Sequence, residues 1–192
     1  MPGLWVFFIF RNGIIMASLQ EYPQLKILQK IVCGQKIPFY LVGGFLRDYL
    51  LQCSQKILST AIHTDFDFTL PKNALKIGRL FARKIKGAYV ILDKERGCAR
   101  IVKRDKKHIY TFDFSDFRVP TLRGDLIRRD FTMNTLCLNF KDFDLSDEIS
   151  SGIKDFKGGI KDIYSKKIRM VSSKVFREDP LRILRAFSLR AI

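Results

Sequence analysis

Two aspartates one residue apart, in Asp65-Phe66-Asp67-Phe68-Thr69-Leu70, follow the stretch Gly43-Gly44-Phe45-Leu46-Arg47-Asp48 by about twenty residues. In a strand, side chains alternate faces at ~3.3 Å per residue, so Asp65 and Asp67 would project from one side, roughly 7 Å apart at the backbone. Carboxylates placed in this way can gather a pair of Mg2+ ions, which stabilise the attacking and leaving oxygens of an in-line displacement at phosphorus. Glycines between a strand and a helix let backbone amides approach an anion, and the helix N-terminus adds partial positive charge. Gly43 and Gly44 are therefore the expected seat of a triphosphate, with Arg47 one turn into the helix and able to reach it. Metal-assisted nucleotidyl transfer is the chemistry the pairing implies. Taken singly, a tight turn and a solvent-facing strand explain each half as well.

A third acid, Asp113, lies in Tyr110-Thr111-Phe112-Asp113-Phe114-Ser115, where alternation puts Thr111, Asp113 and Ser115 on one face and three aromatics on the other. Three acids on adjacent faces would repel one another without a cation, and Mg2+ takes oxygen ligands from a few carboxylates, waters and phosphates. Asp113 could also accept the proton of an attacking hydroxyl. Further on, a helix predicted over 125–140 would pair Asp125 with Arg129, and Asp130 with Asn134, at i,i+4. These pairs are either surface ion pairs or contacts to phosphate and ribose. In 178–185, a continuous helix would place Glu178, Asp179, Arg182 and Arg185 within a ~120° arc, opposite Ile183, Leu184 and Phe187. A carboxylate and a guanidinium there could read the hydrogen-bonding edges of cytosine and adenine. Asp179 before Pro180 is equally a good helix N-cap.

These residues need elements to hold them. The patterns predict helices over 25–32, 45–51 and 74–85, with strands over 37–42, 66–70, 88–92, 99–102 and 108–114, the last three as an antiparallel meander. Gly34 would close the first helix. His63 and His108 lack a metal-ligand pattern and read as surface residues.

The chain has 192 residues, with 35 Lys+Arg against 19 Asp+Glu and a formal charge of +16. That length suits one domain and a short appendage. The charge favours a polyanionic partner. No apolar run is long enough to span a membrane, and the apolar stretch 4–10 lacks the basic segment and cleavage pattern of a signal peptide. Met16 offers a second start, so residues 1–20 read as an N-terminal extension. Cys33, Cys53, Cys98 and Cys137 have neither zinc-site nor disulfide-framework spacing and read as reduced, mostly buried thiols of a cytoplasmic protein. From residue 151 onward there are eleven Lys+Arg and four Asp+Glu, in a segment ending within a helical pattern.

From about residue 40 to 186 the chain resembles the class II tRNA nucleotidyltransferase and poly(A) polymerase family. Val42-Gly43-Gly44 to Asp48 with Asp65 and Asp67 resembles its first motif, and 128–134 its ribose-recognition motif. Residues 155–163, with Gly158-Gly159, are similar to the hinge between head and neck, and 178–186 to the base-reading motif. The resemblance implies an α+β, polymerase-β-like nucleotidyltransferase head over 21–150, with a mixed sheet backed by helices, then the start of a helical neck over 151–192. It implies Asp65 and Asp67 as Mg2+ ligands, Gly44 and Arg47 at the triphosphate, Arg129 at the nucleotide, and Asp179, Arg182 and Arg185 reading the base. A looser match supports Asp113 as the third acid. The expected reaction adds C or A from CTP or ATP to the 3′ end of tRNA. A poly(A) polymerase and a non-catalytic RNA-binding fragment are the alternatives. Ser188 stands where the family usually has another arginine. Family members continue into body and tail domains, so the expectation is a fragment, or a chain working with a second polypeptide that supplies them.

Overall fold

The computed structural model describes residues 18–55, 63–106 and 108–190. Most of the proposed extension 1–20, and the last two residues, lie outside them. The first element after a short 3-10 turn is α1 (Pro23–Cys33), where Pro23 occupies a position whose N–H needs no partner and Leu25, Leu28 and Val32 are buried. Gly34 closes it in ordinary right-handed conformation. Then come β1 (Tyr40–Val42), α2 (Gly44–Gln55), β2 (His63–Leu70) and α3 (Ala74–Ile85). The bounds of α3 match the expected ones because its buried positions Ala74, Ile77, Phe81 and Ile85 recur every three to four residues. The meander follows as β3 (Ala88–Asp93), β4 (Cys98–Asp105) and β5 (His108–Asp116).

Seven strands form one sheet in the order β3-β4-β5-β2-β1-β6-β7, where β6 is Cys137–Asn139 and β7 is Ile153–Lys154. Only β2 and β5 run parallel, so the sheet is mixed. One face of β2 and β5 is aromatic: Phe66 stacks on Phe112 at 5.3 Å and Phe68 on Phe114 at 5.4 Å, all four are buried, and Phe81 of α3 packs on Phe112 and Phe114. A fully buried phenylalanine contributes about 1.5–3 kcal/mol. Slipping either strand by one residue would therefore expose these rings and bury aspartates. This penalty fixes the opposite face, carrying Asp65, Asp67, Thr111 and Asp113, as the polar one.

The helix expected over 125–140 is not present. Instead α4 (Leu122–Leu126) ends early, a 3-10 turn spans Thr132–Asn134, and β6 adds to the β1 edge. Residues 130–138 are all buried, polar ones included, so no exposed face alternates with a buried one as an amphipathic helix requires. The cysteines also depart from expectation. All four are free, but Cys33 and Cys53 are exposed, Cys98 is half-buried and only Cys137 is buried. Residues 18–21 pack on the head: Leu19 is fully buried and Ser18 bridges Glu148. Past α5 (Ile149–Gly152), β7 extends the head sheet, and α6 (Gly159–Tyr164), α7 (Val175–Glu178) and α8 (Leu181–Arg190) complete the described chain. No described helix is long and apolar enough to cross a membrane.

Candidate active site

Strand β1 leaves the sheet beside Asp67, its register partner at Val42, and turns at Gly43 into α2. Gly43 has φ +77, a left-handed conformation that L side chains rarely adopt, and a Cβ there would meet Arg129 Nη1 at 2.8 Å and Asp67 Oδ2 at 3.4 Å. The turn is thus glycine both for its backbone and because a guanidinium and a carboxylate lie against it. At Gly44 a Cβ would make only ordinary contact, with Arg47 Nη2 at 3.6 Å, so the start of α2 is open to an approaching anion.

Arg47 lines the site but is already engaged. Its Nε and Nη2 donate to Asp48 at 2.7 and 3.0 Å, and its Nη1 donates to Asn134 Oδ1 at 2.8 Å. Asn134 Nδ2 donates in turn to Asp130 Oδ1 at 2.8 Å, and Asp130 Oδ2 pairs with Arg185 Nη1 at 3.0 Å. A continuous polar chain therefore links α2, the 3-10 turn and α8, each from a different sequence motif. The Asp130–Asn134 contact exists although no α-helix carries it. The expected Asp125–Arg129 pair does not, because Asp125 instead accepts from the Arg118 amide at 2.9 Å and the Thr69 hydroxyl at 3.5 Å.

The acids stand on the adjoining strands β2 and β5. Parallel pairing sets Asp67 beside Asp113, and Asp113 is gripped by Arg100 of β4 through Nε and Nη2 at 2.8 and 2.7 Å. Burial pushes the Asp67 carboxyl above its usual range. Arg129 opposes that shift, Asp113 and Asp65 add to it, and Arg185 opposes it again. Repulsion among the three acids is thus met partly by arginines on both sides, which the spacing of acids alone did not reveal. Asp65 is exposed and lies 3.3 Å from His63 Nε2. Among the described residues no three His, Cys, Asp or Glu side chains converge on one metal position. Asp65 and Asp67 nonetheless offer hard oxygens on one face, which suits Mg2+ completing its shell with water and phosphate. Asp67, half-buried among like charges, is where a cation would be most stabilising.

Between α7 and α8, the continuous helix expected through 178–185 is broken. Asp179 has φ −153 between α7 and α8 and accepts from the Leu181 amide at 3.0 Å, as the N-cap alternative requires. Pro180 disfavours helical geometry in the residue before it. Glu178 and Asp179 stay at the exposed end, pairing with Arg182 at 3.9 and 3.6 Å. Arg182 is buried and donates to the Arg128 carbonyl at 3.2 Å.

One cavity of about 780 Å³ takes in Gly43, Gly44, Arg47, Asp65, Asp67, Arg129, Asp130, Asn134, Arg182 and Arg185. Asp113, Glu178 and Asp179 do not line it. The cavity also includes residues that the sequence reading did not single out as site residues, among them Arg96, Asp116 and Arg118, together with Cys98, Ser115 and Arg128. Most of these sit at strand ends that become neighbours only once β4, β5 and β2 are paired. Arg128 alone had a local signal, as the neighbour of Arg129.

A family model described as Poly A polymerase head domain matches residues 39–169. Over 147 residues the chain is 34% identical to a CC-adding tRNA nucleotidyltransferase of Synechocystis, covering 77% of this chain and 31% of that protein. It is 32% identical over 159 residues to an A-adding tRNA nucleotidyltransferase of Aquifex aeolicus, covering 77% of this chain and 17% of that one. Its fold superposes on a Thermotoga maritima CCA-adding enzyme complexed with tRNA, with a TM-score of 0.69 and 29% identity over 90% of this chain and 40% of the other. The chain therefore spans about a third or less of the length of these curated relatives. The mixed sheet with its backing helices is the polymerase-β-like nucleotidyltransferase fold. By the match over most of its length, the chain belongs to the Poly A polymerase head-domain family, that of the class II tRNA nucleotidyltransferases and poly(A) polymerases.

Proposed function

We propose that the chain is the nucleotidyltransferase head of an enzyme that adds C, A or both from CTP or ATP to the 3′ end of tRNA. The observation that carries this reading is the convergence of Asp65 and Asp67, the Gly43–Gly44 turn, and Arg129, Arg182 and Arg185 on a single cavity. In the reaction, the RNA 3′ oxygen bonds to the α-phosphorus and the bond to the bridging oxygen breaks. The electron pair leaves with pyrophosphate, and the hydroxyl proton passes to water. Mg2+, held by Asp65 and Asp67, would neutralise the charge that builds on the phosphoryl oxygens. The amides at the start of α2 seat the triphosphate, and Arg129, backed against Gly43, adds positive charge beside it. Arg182 and Arg185 present guanidinium donors to the incoming base, Arg182 steadied by Glu178 and Asp179 and Arg185 by Asp130. Asp113, committed to Arg100, holds that guanidinium beside the acids of the neighbouring strand.

Offering tRNA lacking its 3′ CCA and a generic RNA, each with CTP or ATP alone, tests the reading. Incorporation of C or A into the tRNA is expected. A-only extension of both RNAs would indicate a poly(A) polymerase, and no incorporation by the chain would leave an RNA-binding fragment. Asp65→Ala and Asp67→Ala should each cut Mg2+-dependent incorporation on the order of a hundredfold or more, while both variants remain folded. Retained activity would reject their metal role.

A further inference from the structure

The cavity extends past the nucleotide-site residues into a second limb, and the register fixes its position. Val42 pairs with Asp67 and Tyr40 with Thr69, so the Gly43–Gly44 turn lies toward the N-terminal end of β2. Thr69 pairs with Ser115, which stands two residues beyond Asp113 on the same face, about 7 Å along the strand. Beyond it, Cys98, Ser115, Arg96 and Arg118 line the limb, on the far side of the acids from the glycine turn.

Asp116 and Asp125 share this lining, but both are held by other groups, which leaves the two arginines able to meet an anion. Asp116 caps α3 through the Ala74 amide at 2.8 Å, and Asp125 accepts from the Arg118 amide and Thr69. The Arg118 guanidinium is exposed and pairs with no described carboxylate. Arg96 has only Asp93, at 3.6 Å, with its side chain 68% exposed. Such an exposed pair contributes little and is readily exchanged for another anion.

In-line displacement puts the attacking and leaving oxygens on opposite sides of the phosphorus. With pyrophosphate toward the glycine turn, the nucleophile must approach from the opposite side. We infer that the RNA strand enters along the limb lined by Cys98 and Ser115, and that Arg96 and Arg118 hold its last phosphodiesters and so position the 3′ hydroxyl. This rests on the nucleotidyl-transfer reading above.

The test separates RNA binding from turnover on the full chain. A fluorescein-labelled RNA hairpin with a single-stranded 3′ end is titrated with the wild type, with Arg96→Ala/Arg118→Ala, and with Arg83→Ala, which removes one positive charge from the exposed end of α3. The double variant should bind the hairpin about tenfold more weakly, with the log K against log salt slope shallower by about 0.7 per arginine. Arg83→Ala should bind as the wild type does, and CTP and ATP binding by calorimetry should be unchanged in all. Arg96→Lys/Arg118→Lys should keep most of the RNA affinity. Unchanged RNA affinity, an equal loss in Arg83→Ala, or a parallel loss of nucleotide binding would each overturn the inference. Absence of incorporation by the wild type would instead reject the transferase reading, while the hairpin titrations still decide whether the limb binds RNA.

Discussion

Gly43 and Asp67 meet Arg129 at one point, and each carries a conflict that a stability-optimised sequence would remove. At Gly43, alanine would force a left-handed residue, costing about 1–2 kcal/mol, and its Cβ would displace Arg129. Gly43→Ala should therefore lower the melting temperature and also raise the KM for nucleotide, measured separately by calorimetry and steady-state assay. Asp67 has its carboxyl pKa raised chiefly by burial. A raised folded-state value means that ionising the group disfavours the fold, so stability is lost as pH climbs through that value. Asp67→Asn should then be more stable than wild type in metal-free buffer at neutral pH, by about 2–4 °C for each ~1 kcal/mol relieved, with the gain fading near pH 4. A variant that melts lower at neutral pH would show that Arg129 outweighs burial. The Asp-x-Asp spacing was legible because strand alternation is local. The guanidinium facing it was not, since residues 67 and 129 meet only in the folded chain.

Elements join through Asp162 of α6, which is buried and accepts from the Thr132 hydroxyl and, at 2.8 Å, from Arg169 Nε. Burial tends to raise its pKa, but the bonds from Thr132 and Arg169 and the nearby cations hold it below the usual range. A depressed value stabilises the fold above the unfolded-state pKa, and the benefit is lost as pH falls through the folded one. Asp162→Ala should cost about 1–3 kcal/mol at neutral pH, with a penalty that shrinks below about pH 4. Denaturation at the two pH values checks it, and a pH-independent penalty would contradict it. Asp155 supports the same junction, accepting from the amides of Lys157, Gly159 and Ile160 at 2.9–3.0 Å. The elements in 23–116 were largely legible because their apolar residues follow one period each. The stretch 125–140 was misread as a helix because its polar i,i+4 pairs suggested one, whereas the burial of 130–138 goes with the pairing of β6 to β1 in the sheet.

Across the whole molecule, α8 turns Arg182 inward and leaves Leu181, Leu184 and Phe187 about two-thirds exposed, at 67%, 64% and 66%. These side chains lie outside the core, so Leu184→Ser/Phe187→Ser should change unfolding free energy by no more than about 0.5 kcal/mol, measured by urea titration. A larger loss would mean that they pack in solution. The sequence by itself determined the strand-borne acids, the glycine turn, the basic charge and most helix and strand positions, because each depends on residues close together in the chain. Only the tertiary structure decided that Arg100 neutralises Asp113, that Asp179 caps α8 away from the cavity, and that Arg96 and Arg118 stand across the acids from the glycine turn. Those outcomes depend on strand order, register and the break at Pro180, which bring together residues too far apart in the chain for local periodicity to relate.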